Sequence, residues 1–285
     1  MACELTRDLG VPLSRLSISE LQREVTNRGI IAQVSGTTLW RWLSEDAIKP
    51  WRYRSWIFPR DPAFSEKAGR VLGLYEGYWD DRPLGPNDYV LSTDEKTSIQ
   101  ARRRMHRSQG PAPHQAMRIE HEYERKGAWA YMAAWDVKRA KIFGCLEEKS
   151  GIAPFEKLVN RVMGSEPYAS ANRVFWIMDN GSSHRGDHSI ERLKKWPAIV
   201  PVHLPIHASW LNQIEIYFSV VQRKVLTPCD FDSLYEVQDR LLLFQERYQE
   251  AAQPFEWKFT RTDLEHLCSR LSCLKPETRE LVYAS

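Results

Sequence analysis

The chain has 285 residues, 42% of them hydrophobic, and a formal net charge of +3; this is enough apolar material for one large domain or two moderate ones and excludes disorder as the default. Its apolar windows, such as 128–135 and 220–226, are far shorter than the ~20 residues a bilayer crossing needs, and Met1 opens no charged-then-apolar leader, so a cytoplasmic protein without a membrane partner is expected. Five cysteines without a CxxC pair argue against a zinc knuckle or a disulfide frame, and so small a net charge marks a nucleic-acid binder only if the cations cluster.

Ser17 and Glu20 have capping-box spacing, Ile18, Leu21 and Val25 form one apolar stripe, and Gly29 suits a helix stop, which predicts a helix over 17–28. A second helix is predicted over 36–47, with Leu39, Trp42 and Leu43 inward and Thr37, Thr38, Trp40 and Arg41 on other faces, as a DNA-reading helix requires. Lys49-Pro50 ends it. The alternating basic and aromatic run 51–58 then suits a strand or wing from which Arg52 and Arg54 reach DNA, although tryptophans in such a run are as often core. These pieces make a helix-turn-helix domain over 1–60, and a polar linker helix follows within 61–85.

The catalytic body is expected over 86–230. Strands are predicted at about 89–94, 128–135, 140–146, 173–179 and 199–204, each rich in β-branched or aromatic residues, and helices at about 154–163, 184–195 and 210–225. The order strand, two-stranded hairpin, helix, strand, helix, strand, helix is that of an α/β, ribonuclease-H-like domain with a mixed five-stranded sheet and flanking helices. Two further helices, 234–251 and 262–271, form a C-terminal extension over 231–285.

Asp94 and Asp179 each close an apolar run, and Glu215 stands 36 residues after Asp179 in the helix that follows Pro205-Ile206-His207-Ala208-Ser209. Neighbouring parallel strands would bring the two aspartates to one sheet edge, and the helix can carry Glu215 over it. Three carboxylates that close repel one another, and a divalent cation cancels the repulsion; oxygen-only ligands favour Mg²⁺ or Mn²⁺ over zinc. A single strand-closing Asp is ordinarily a turn or cap residue, but two joined by a helical Glu go beyond that. Glu95, by alternation, points to the opposite face and suits a salt bridge. Lys96, Arg102, Arg103, Arg104 and Arg107 follow with no acid among the residues after Lys96 up to Ile119, a stretch that fits phosphate contacts better than a merely solvated loop.

The motifs STDEKTSIQA, DNGSSHRG and HASWLNQIEIYFS, with KPWRYRSW, EHEYERKGAWAYMAAWDV and PFEWKFT around them, resemble the insertion-sequence transposases of the six-thirty group, bacterial relatives of mariner elements. The resemblance covers nearly the whole chain. It implies that Asp94, Asp179 and Glu215 are the DDE triad and bind two Mg²⁺ or Mn²⁺ ions. It further implies cut-and-paste transposition: cleavage at terminal inverted repeats, then joining to target DNA, typically at a TA dinucleotide. Pairing two double-stranded DNA ends implies a homodimer. Asn180, His184, His207 and Asn212 fall on motif positions around the site, where they hold ligands or touch phosphates, with helix capping the alternative. Relatives commonly carry further N-terminal helices, whereas sixteen residues precede Ser17 here. A catalytically silent, truncated DNA-binding regulator is therefore the alternative expectation, and a metal-dependent nuclease or RNA–DNA hybrid hydrolase a third.

Overall fold

Ser17 caps α1 (Ile18–Asn27) through both halves of the predicted box: the Glu20 amide donates to its hydroxyl, and its own amide donates to the Glu20 carboxylate at 2.8 Å. The computed structural model describes residues 1–53, 59–181 and 191–272, which fall into two units, Met1–Phe58 and Pro59–Ser285. In the first unit α1 and α2 (Gly36–Glu45) close over Val11, Leu16, Leu21, Val25, Val34 and Leu39. The Gln22 side chain donates to the Val34 carbonyl at 2.8 Å and ties the connection to α1. Trp42, expected inside, is 45% exposed, and Trp40 is 54% exposed. The stripe is narrower than predicted because a two-helix core this small is filled by Leu39, with Leu43 at its margin. Trp51 to Tyr53 form no strand, and the rest of the predicted wing, Arg54 included, lies outside the described residues.

The second unit is built on a sheet in the order β5-β4-β3-β6-β7, formed by β3 (Asp88–Arg103), β4 (Glu124–Asp136), β5 (Lys141–Glu147), β6 (Arg173–Met178) and β7 (Ile199–His203). β3, β4 and β5 pair antiparallel, whereas β6 and β7 add in parallel. This is the expected ribonuclease-H-like plan. Alternation divides its side chains between two cores. Val90, Tyr131, Ala133, Trp135, Phe175 and Ile177 face one way, beneath α3 (Phe64–Glu76), α5 (Ile214–Lys224), α6 (Leu234–Ala251) and α7 (Arg261–Ser272). Leu91, Met132, Ala134, Val174, Trp176 and Met178 face the other way, toward α4 (Ile152–Met163).

Two expectations for this unit need correcting. The segment read as a polar linker holds α3, whose Ala68, Val71, Leu72 and Leu74 are buried in the main core. That helix stops at Gly77, which takes the left-handed φ of 92° that glycine tolerates best, and a short hairpin of β1 (Tyr78–Trp79) and β2 (Arg82–Pro83) follows. β3 does not end at Asp94. Its parallel partner gives out after Ser92↔Ile177, but β4 is long enough to go on pairing as far as Arg103. The helix predicted over 184–195 falls largely outside the described residues. Among the described residues no helix is long and apolar enough to cross a membrane.

Candidate active site

The register sets the acids level. Ser92 of β3 pairs with Ile177 of β6, and Asp94 and Asp179 each stand two residues further along parallel neighbours, at the same edge of the sheet. Each also folds back on its own backbone: the Glu95 amide donates to Asp94 Oδ1 and the Gly181 amide to Asp179 Oδ1, both at 2.8 Å. Glu215 sits in the first turn of α5.

Asn212, just before α5, ties the approach to that helix to β3. Wholly buried, it donates through Nδ2 to the Thr93 carbonyl at 2.9 Å and to Asp94 Oδ2 at 3.3 Å, while its Oδ1 accepts the Ser92 hydroxyl. Ser92 Oγ in turn accepts the Ile214 amide at 2.8 Å, and the Thr93 hydroxyl donates to the Ile177 carbonyl at 3.0 Å. Strand β3, strand β6 and the start of α5 are thereby locked together, so the separation of the carboxylates is imposed by the fold.

The electrostatics agree with convergence. Burial pushes the Asp94 carboxyl up to about 7, with Asp179, Glu215 and Glu95 adding to the rise and the Glu95 amide opposing it. Partial desolvation raises the Glu215 carboxyl as well; Lys96 counters this and Asp179 reinforces it. A site of oxygen donors, strained by its own negative charge, fits a hard divalent cation such as Mg²⁺ or Mn²⁺. Among the described residues no three His, Cys, Asp or Glu side chains are already drawn into a coordination cluster, so the acids are electrostatic neighbours without being a closed cage.

The other predicted positions divide. Asn180 donates to the Leu204 carbonyl at 2.6 Å, fastening the end of β6 to the end of β7, and so supports the site from its backbone. His207 is exposed, with a left-handed φ of 60°, and makes no hydrogen bond among the described residues; the structure does not bring it onto the acids. His184 lies outside the described residues. Lys96 is beside Glu215 on β3. Arg102 and Arg103 also lie on the strand rather than in a loop. Arg104 is used internally, donating to the His121, Glu122 and Cys229 carbonyls, and it shares the Tyr123 ring with Arg102. Arg103 lies 3.9 Å from Asp232, and Arg107 is exposed. In the first unit Thr37, Trp40, Arg41 and Arg52 are exposed, whereas the Thr38 hydroxyl shares a hydrogen bond with Ser35 at 2.8 Å.

Sequence reasoning passed over Ser92, Tyr75, Asp61 and His203. Ser92 did carry a signal, a hydroxyl on the same strand face as Asp94 within an apolar run. His203 pairs with Met178 and turns Nδ1 toward the Asp179 carbonyl at 3.5 Å. Asp61 is buried: its Oδ2 accepts the Lys67 ammonium at 2.8 Å and the Ile206 amide at 3.0 Å, and its Oδ1 accepts the Ala63 amide.

The sequence profile described as DDE superfamily endonuclease matches residues 90–238, more than half of the chain and the stretch that carries all three acids. The chain belongs to the DDE superfamily endonucleases. Solved structures similar to it include the Mos1 mariner paired-end complex with Mn and a pre-cleavage Mos1 transpososome, each with a TM-score of 0.53 at 15% identity over 92% of this chain and 78% of the other. The Mos1 paired-end complex with Mg gives a TM-score of 0.51 at the same identity and coverage. At that identity the likeness is one of fold. No curated protein matches the chain at a significant level.

Proposed function

We propose that this DDE endonuclease is a transposase of the six-thirty insertion-sequence group, which cleaves double-stranded DNA at the inverted repeats of its element and joins the freed ends to target DNA. What supports the reading is that Asp94 and Asp179 stand level at one sheet edge, with the Asp94 carboxyl raised to about 7 by burial and then by the charges of Asp179, Glu215 and Glu95. The motifs around these acids support the subgroup. That the Mos1 structures of like fold are paired-end and strand transfer complexes, some with Mn or Mg, supports the substrate.

In this reading Asp94, Asp179 and Glu215 hold two Mg²⁺ or Mn²⁺ ions, which supply activation of the attacking oxygen and charge stabilisation of the leaving one. Asn212 keeps Asp94 oriented toward the metal side. Lys96 faces the strand being cut, where its ammonium offsets phosphate charge. The first unit offers Thr37, Trp40, Arg41 and Arg52 to the element end, and Arg107 adds a phosphate contact on the catalytic unit. The protein acts as a homodimer when two ends are paired.

The test is incubation of the purified protein with Mn²⁺ and duplexes carrying the repeats that flank its gene. Nicking at the repeat followed by strand joining, both lost in Asp179→Asn, is the expected outcome. Binding without cleavage would instead identify a silent regulator, and hydrolysis of RNA–DNA hybrids without joining a nuclease.

A further inference from the structure

Helix α5 begins without a cap of its own. Its first residue is Ile214, and the preceding Gln213 makes no side-chain capping bond. The amides at a helix start need acceptors from outside the regular helical pattern; the Glu215 and Ile216 amides find theirs locally in the Asn212 and Gln213 carbonyls, and the two amides before them turn to other elements. The Gln213 amide donates to the Tyr75 hydroxyl at 3.3 Å, and the Ile214 amide to the Ser92 hydroxyl at 2.8 Å. Tyr75 Oη then donates to the Leu211 carbonyl at 2.7 Å, so one hydroxyl serves both sides of the connector.

Tyr75 lies in the last turn of α3, its ring edge-on to Trp257 with centroids 5.2 Å apart. Near the start of the same helix Asp61 takes the Ile206 amide. Helix α3 and the residues just before it therefore hold 206–213 at both ends, Asp61 at Ile206 and Tyr75 at Leu211 and Gln213. Glu215 is the residue after Ile214, so its place over Asp94 and Asp179 depends on where that grip sets the helix start. Burial also makes the Tyr75 hydroxyl harder to ionise, which keeps it neutral and able both to donate and to accept.

We propose that Tyr75 is a positioning residue for the acidic site: its hydroxyl, together with that of Ser92, caps α5 from outside and thereby sets Glu215 for metal binding. The inference rests on the reading of Asp94, Asp179 and Glu215 as the metal-holding trio. Tyr75→Phe keeps the ring contact with Trp257 and removes the hydroxyl's two bonds, to the Gln213 amide and the Leu211 carbonyl.

The experiment measures Mn²⁺ binding to the full chain by calorimetry without DNA, single-turnover cleavage of element-end DNA, and DNA affinity. Tyr75→Phe is expected to weaken Mn²⁺ binding and slow cleavage by about tenfold or more, the range seen when a group that orients a metal ligand is lost, while DNA affinity stays within about twofold. Tyr168→Phe, which removes another buried hydroxyl, one bonded to Asp136 at 2.7 Å, is expected to lower the melting temperature but leave Mn²⁺ binding unchanged. Mn²⁺ affinity of Tyr75→Phe within about twofold of wild type, or an equal loss in Tyr168→Phe, overturns the proposal. Should Tyr75→Phe not fold, Ser92→Ala decides by the same criterion. Asp179→Asn separates the two levels: if it binds Mn²⁺ like wild type the trio reading itself falls, whereas if it loses Mn²⁺ and Tyr75→Phe does not, only the positioning role falls.

Discussion

Replacing Asp94 with asparagine is expected to raise the stability of the catalytic unit in the presence of a chelator at pH 8. Asp94 rises from its ordinary 3.8 to about 7 in the folded protein, mainly through burial and then through Asp179 and Glu215. A carboxyl raised in this way favours folding fully only below its unfolded value, and that stability is lost as pH climbs from about 4 through 7. The full shift corresponds to at most about 4 kcal/mol. Relaxation and water access around a partly exposed group reduce this to roughly 2 kcal/mol. Asparagine bears no charge to desolvate and, with its one oxygen kept for the Glu95 amide, gives up only the longer 3.3 Å bond from Asn212, so it escapes most of the penalty. For a unit of this size the gain is roughly 4–8 °C in melting temperature at pH 8, shrinking toward zero near pH 4. Differential scanning calorimetry across that range, with chelator and then with Mn²⁺, is the assay. Mn²⁺ should raise the melting temperature of the wild type and leave Asp94→Asn nearly unmoved. If Asp94→Asn melts lower than wild type at pH 8 with chelator present, the carboxylates do not strain one another and the electrostatic argument for a metal fails.

Asp61 has the opposite sign. Lys67 and the Ile206 amide draw its carboxyl down to about 2, so it contributes stability that is complete above 3.8 and is lost as pH falls from there toward 2. Asp61→Asn should then cost up to about 2 kcal/mol in urea unfolding at pH 7 and progressively less below pH 4. Arg104 and Arg107, two arginines of one basic stretch, should behave differently. Arg104→Ala loses bonds to three carbonyls and should destabilise by about 1–3 kcal/mol. Arg107→Ala should leave melting unchanged and reduce the slope of log DNA affinity against log salt by about 0.9 in fluorescence anisotropy. In the first unit Leu39→Ala should cost about 2–4 kcal/mol by circular dichroism because Leu39 is buried. Trp40→Ala, at an exposed position, should leave the unit folded and weaken DNA binding; retained affinity would remove α2 from the DNA interface.

Much of the architecture is local in origin and was legible for that reason. The Ser17 and Glu20 box spans a single helical turn, and the continuous apolar run of β6 marks a strand covered on both faces. Asp94 and Asp179 stand at comparable distances past such runs, so parallel pairing of β3 with β6 was enough to bring them level. The helical stripe Ala68, Val71, Leu72 and Tyr75 was also present in the sequence, and it argues against a polar linker once the charges between are read as the outer face.

What the tertiary structure alone decided are matters of partnership. Whether β3 ends at Asp94 or runs to Arg103 depends on the length of β4, and whether Arg104 meets a phosphate depends on carbonyls as distant as Cys229. Exposure of Trp42 follows from how little core two helices enclose. The start of α5, and with it the placement of Glu215, is set by a tyrosine hydroxyl 138 residues away in sequence. Periodicity and caps reveal which face a residue presents, because they act within a few residues; a hydrogen-bond partner brought in by packing leaves no trace in local spacing.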